Sequence, residues 1–202
     1  MKIVLLVEGK TETAFQEKLG AFLGERCEQQ GKPKIGLRTK PMDTRLMNAE
    51  RVRERVMMSF RDPDVTRVLA LVDVYPRFES AQEAKTFLRK AVGDEPRFHA
   101  HAAQFDFEAW LLPYWDDICK CLKVRKQKPA ANPEQVNCLK PPSQHLIELY
   151  HLAKPPRSYD KARDGKAILR DKDLTVAANQ CPELKDLLNT LLGCAGLELL
   201  PT

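Results

Sequence analysis

The chain has 202 residues, 43% of them hydrophobic and 30% charged, an ordinary globular composition with room for one large domain. No apolar run reaches the length of a membrane span and no charged-then-apolar leader opens the chain, so a membrane-spanning protein is excluded and a cytosolic one expected. The formal net charge of +5 permits a polyanionic partner without requiring one, and six scattered cysteines with no Cys-x-x-Cys pair read as reduced thiols.

Residues 2–7 (KIVLLV) form a continuous apolar run, predicted as a buried strand that stops at Glu8. Residues 11–30 then carry Phe15, Leu19, Phe22 and Leu23 on one helical stripe, closed by Gly31-Lys32-Pro33. A short strand is predicted at 34–38, and a helix at 48–60 with Val52, Val56 and Met57 inward. Residues 66–73 (TRVLALVD) are the second clear buried strand, apolar until Asp73. Ser80, with Glu83 three residues later, has the pattern of a capping box and starts a helix over 80–92. Residues 97–104 (RFHAHAAQ) read as a strand, and 105–112 as the opening of another helix.

This alternation predicts an α/β fold, a mainly parallel sheet flanked by helices on both faces, for a core over 1–112. After Pro113 the character changes. Residues 123–142 are rich in proline and lysine and read as a loop, and short helices are predicted at 145–152, 161–169, 173–179 and 182–192. Residues 113–202 are therefore expected to be a linker and a helical portion packed on the core.

Three predicted strand ends carry acids: Glu8 with Glu12 one helical turn on, Asp73, and the segment Asp106-Phe107-Glu108. In a parallel sheet those ends share one edge, so Glu8, Glu12, Asp73, Asp106 and Glu108 are placed to converge. Mutual repulsion makes such a cluster costly unless a cation neutralises it, and oxygen-only ligands suit Mg²⁺ or Mn²⁺. His99 and His101 share one face of a strand, but two histidines lack a third ligand. Tyr75 and Trp110 are either packing residues or surfaces for stacking on a base. No phosphate-cradling Gly-x-x-x-x-Gly-Lys-Ser/Thr is present, which argues against a nucleotide-hydrolysing motor, and no Ser-His-acid pattern supports a serine hydrolase.

Glu8-Gly9-x-Thr11-Glu12 at the end of the first strand, with Asp73 ending a later one, resembles a Toprim domain, the metal-binding core of topoisomerases, primases and OLD-type nucleases. The segments VEGKTE, VDVYP and HAAQFDFEAWLL, with the later Tyr159-Asp160-Lys161, Asp164-Gly165 and Cys181-Pro182, resemble a Toprim-like bacterial family, domain of unknown function 4276, over nearly the whole chain. The resemblance implies a Toprim-like (Rossmann-like) fold and a metal-dependent nuclease, an endonuclease hydrolysing phosphodiesters of DNA or RNA, with Mg²⁺ or Mn²⁺ as cofactor. It implies Glu8 and Asp73 as the central catalytic and metal residues. Tyr75 stands where Toprim enzymes usually carry the second acid of Asp-x-Asp, which assigns Glu12 and Glu108 as additional ligands. Lys161, in the family-like Tyr-Asp-Lys segment, is the implied charge-stabilising lysine, with Lys10 beside Glu8 as the alternative. A role in phage defence with a separately encoded ABC-type ATPase is also implied. The competing reading is a non-catalytic effector that keeps the fold and binds nucleic acid or a protein through its basic faces. A phosphotransferase acting on a small nucleotide is a third.

Overall fold

The computed structural model describes residues 1–8, 10–42, 48–129, 131–135 and 140–201, with the backbone alone for 10–14. Cys138 and the side chains of Lys10 and Glu12 lie outside the described residues.

Four strands, β1 (Lys2–Val7), β2 (Gly36–Pro41), β3 (Val65–Asp73) and β4 (Phe98–Ala103), form one all-parallel sheet in the order β2-β1-β3-β4. The two central strands are the apolar runs seen in the sequence, and parallel strands covered on both faces need such runs. Alternate residues divide between two cores. Ile3, Leu5, Val7, Leu69 and Leu71 face one side, against Phe15, Leu19, Phe22 and Leu23 of α1 (Lys10–Gln29). Val4, Leu6, Val68, Ala70 and Val72 face the other, against Val52 and Val56 of α2 (Ala49–Ser59) and Ala84 and Leu88 of α3 (Ala81–Val92). The fold is the α/β architecture expected from the sequence.

Five further α-helices follow among the described residues: α4 (Trp115–Leu122), α5 (Pro142–His151), α6 (Lys161–Leu169), α7 (Leu174–Ala178) and α8 (Pro182–Cys194). Leu146 and Leu149 of α5 and Leu184, Leu187, Leu188, Leu191 and Leu192 of α8 join the cluster around Ile3 and Leu5. The C-terminal helices thus bury the same sheet face as α1. Among the described residues, no helix is long and apolar enough to cross a membrane.

Local chemistry explains the element ends. Asn48 Oδ1 accepts from Arg51 N–H at 2.9 Å and caps α2. Ser80 Oγ accepts from Glu83 N–H at 3.1 Å, and the Glu83 carboxylate reaches back to Glu79 N–H at 2.7 Å, one residue earlier than a capping box requires.

Three expectations are corrected. β2 begins later than the predicted 34–38 strand, because its register against β1 runs from Lys2↔Gly36 to Val7↔Pro41, and as an exposed edge strand it has little apolar patterning to mark it. Residues 105–112 do not open a continuous α-helix. Phe105 adopts a left-handed backbone (φ 71°), and two 3-10 turns, Phe107–Trp110 and Leu112–Tyr114, follow before α4. Pro113 lacks the N–H that a longer helix would use. Met57, expected inward, is 37% exposed, because α2 buries only the narrow stripe of Val52, Val56 and Ser59.

Candidate functional site

After β1 the chain passes through α1 to β2 on one side, then returns through α2 to β3 on the other. The direction of winding therefore reverses between β1 and β3. At such a switch point the loops diverge and leave a crevice at the carboxyl ends of the strands, where open α/β sheets bind ligands. Glu8 follows the last residue of β1 and Asp73 is the last residue of β3, so the two acids stand on either side of the switch point. They are linked: Glu8 Oε2 accepts from the Asp73 backbone N–H at 3.0 Å. Asp73 Oδ1 accepts from Phe107 N–H at 3.0 Å, which ties the 3-10 turn after β4 to the end of β3.

That turn brings Asp106 and Glu108 into the same region. Glu108 is fully buried; its Oε2 accepts from Lys161 Nζ at 3.1 Å and its Oε1 from the Tyr159 hydroxyl at 3.4 Å. Asp106 Oδ2 accepts from Ser143 N–H at 3.2 Å, while Oδ1 is buried with no hydrogen bond among the described residues. Burial pushes the Glu108 carboxyl up to about 7, with the Asp106 charge adding to the shift and Lys161 opposing it. Asp106 is raised too, chiefly by burial and in spite of Ser143 and Lys161. Burial alone would lower the Lys161 pKa, but the charges of Glu108, Asp73 and Asp106 outweigh it and raise it, so Lys161 stays an ammonium. Its side chain is 48% exposed, in contrast to the fully buried Glu108 it pairs with. Tyr159 is raised by burial and then by Glu108, and stays a neutral hydrogen-bond donor.

The structure gathers Glu8, Asp73, Asp106, Glu108 and Lys161 at one end of the sheet. Glu12 lies in the first turn of α1 by its backbone, and its side chain, like that of Lys10, is outside the described residues. Among the described residues, no group of three or more His, Cys, Asp and Glu side chains is placed to hold a metal ion. The donor chemistry still suits a hard cation. All the candidates are carboxylates, and Asp106 Oδ1 is a buried acceptor with no donor among the described residues.

Sequence reasoning missed Arg77, whose guanidinium donates to Glu8 Oε1. The only sequence signal was a cation four residues past Asp73, inside a turn that reads as generic loop. Tyr75, two residues past Asp73, is 47% exposed and belongs to neither buried core. Trp110 is buried against Phe15 and Phe107 and donates Nε1–H to Glu134 at 3.0 Å, so it cannot stack on a base. His99 and His101 do share a face; His99 Nε2 lies 3.6 Å from Cys194 Sγ and His101 Nδ1 lies 3.4 Å from Asp186, separate contacts along α8.

No curated protein matches the chain in sequence. In structure it is similar to the C-terminal region of the Burkholderia pseudomallei OLD protein, with a TM-score of 0.43 and 13% identity over 92% of this chain and 98% of that one. The family model described as domain of unknown function DUF4276 matches residues 7–192, and the chain belongs to that family, the one its motifs resemble.

Proposed function

We propose that this chain is a Toprim-type phosphodiester hydrolase acting on nucleic acid with Mg²⁺ or Mn²⁺. The observation that carries the reading is the placement of Glu8 and Asp73 on either side of the switch point between β1 and β3. Glu8 and Asp73 would hold the cation, with Glu12, Asp106 and Glu108 as candidates to complete its oxygen shell. A hard divalent cation there supplies Lewis acidity toward the phosphodiester. Lys161 is assigned to the negative charge that develops on the phosphate, and a fixed ammonium in a partly dehydrated crevice suits that role. Glu108, with both oxygens engaged by Lys161 and Tyr159, orients that ammonium and contributes its own charge to the cluster. The reading includes the separately encoded ABC-type ATPase and the setting in phage defence that the family resemblance implies.

The test is nicking of supercoiled plasmid with Mg²⁺ or Mn²⁺ by the full chain and by Glu8→Ala and Asp73→Ala. Both variants are expected to lose the activity while keeping the fold. Undiminished nicking by both would remove the catalytic assignment. The non-catalytic reading draws on Tyr75 in the second-acid position. Wild-type protein that never cleaves, but binds nucleic acid with steep salt dependence, would support it.

A further inference from the structure

Arg77 holds a carboxylate that the proposed cation needs. Its backbone is fixed: Val74 N–H donates to Ala103 O at 3.0 Å, Tyr75 N–H to Phe105 O at 2.6 Å, and Arg77 and Phe78 N–H return to Val74 O at 2.9 and 2.8 Å. The Phe78 ring packs on Phe87 with centroids 5.6 Å apart. The turn is therefore tied to the end of β4 and to the α3 side of the core, and the Arg77 side chain that leaves it is one-third exposed. Glu8 has a second tether in the Asp73 N–H, so its carboxylate keeps its place whether or not the guanidinium stays.

We propose that Arg77 is a resident counter-cation that competes with the divalent ion for Glu8 and, when displaced, turns to a phosphate of the substrate. The proposal rests on the metal-dependent reading above. A doubly charged ion between Glu8 and Asp73 takes over the neutralisation that one guanidinium provides, and the two cations repel at that range. The released guanidinium offers a planar fork of donors that matches a phosphate, beside the exposed Tyr75. Site assembly and substrate capture are thereby coupled, because the ion and the guanidinium contend for the same carboxylate.

The test measures Mn²⁺ binding by electron paramagnetic resonance and duplex DNA binding in Ca²⁺ or EDTA, on the full chain and on Arg77→Gln, Arg77→Lys and Glu8→Gln. Arg77→Gln is expected to bind Mn²⁺ about tenfold tighter than wild type, with Arg77→Lys between them and Glu8→Gln weakest. Arg77→Gln is also expected to bind DNA several-fold more weakly than wild type in Ca²⁺, with the difference vanishing in EDTA. Equal Mn²⁺ affinity in wild type and Arg77→Gln, lost in Glu8→Gln, overturns the competition and leaves the metal-dependent reading standing. Equal DNA affinity in Ca²⁺ overturns the transfer to phosphate. Mn²⁺ binding absent from every variant overturns both readings.

Discussion

The role proposed for Lys161 is testable, because its ammonium, on a half-exposed side chain, pairs with the fully buried Glu108. If its ammonium stabilises charge in the transition state, Lys161→Ala lowers the cleavage rate on the order of 100-fold with the fold intact, and Lys161→Arg restores part of it. A rate unchanged in Lys161→Ala, measured under single-turnover conditions, would show that the Glu108 pair is only structural. Glu8 and Asp73 were legible in the sequence because each ends an apolar run, and an acid there breaks the pattern visibly. Lys161 was legible only through the family resemblance. Arg77 was not legible as a site residue, since a cation in a turn has no periodicity and its meaning depends on the Glu8 carboxylate it meets only in the fold.

Among the elements, β1, β3 and α3 were readable to within a residue or so, because apolar periodicity and caps are local properties. The exposed edge strand β2 and the 3-10 turns after β4 were not, because register against β1 and the left-handed Phe105 decide them. The loop after α4 also hides a fixed point. Glu134 accepts from Trp110 Nε1–H at 3.0 Å and from Glu183 N–H at 3.1 Å, which joins the turn behind the site to the first turn of α8. Burial raises the Glu134 pKa above its usual 4.5, in spite of those two donors. A raised acid binds its proton more tightly in the folded state, so its contribution to stability is full below pH 4.5 and falls as pH rises through the folded value. Glu134→Gln does not titrate, so any stability deficit it shows against wild type is expected to be largest at pH 4.5 and to shrink toward pH 7.5. Urea denaturation at the two pH values measures it, and a deficit that grows with pH would contradict the assignment.

At the scale of the whole molecule, alternation of strands and helices indicated an α/β fold, and the strand order β2-β1-β3-β4, which only the structure supplies, puts the acids at a switch point. The C-terminal leucines share a core with β1, so a fragment of residues 1–112 would expose that sheet face to water. The fragment is expected to aggregate or to lack near-ultraviolet circular dichroism, while the full chain unfolds in one transition. A stable, monomeric 1–112 fragment would show that the two portions fold independently. The reading of the whole molecule comes down to whether one ion bridges β1 and β3. A crystal structure of the full chain soaked in Mn²⁺, with anomalous scattering to identify the ion, tests this directly. A peak is expected about 2.0–2.4 Å from carboxylate oxygens of both Glu8 and Asp73, with the Arg77 guanidinium moved off Glu8. Glu8 still held by Arg77, with no anomalous peak between the two acids at saturating Mn²⁺, would contradict that reading.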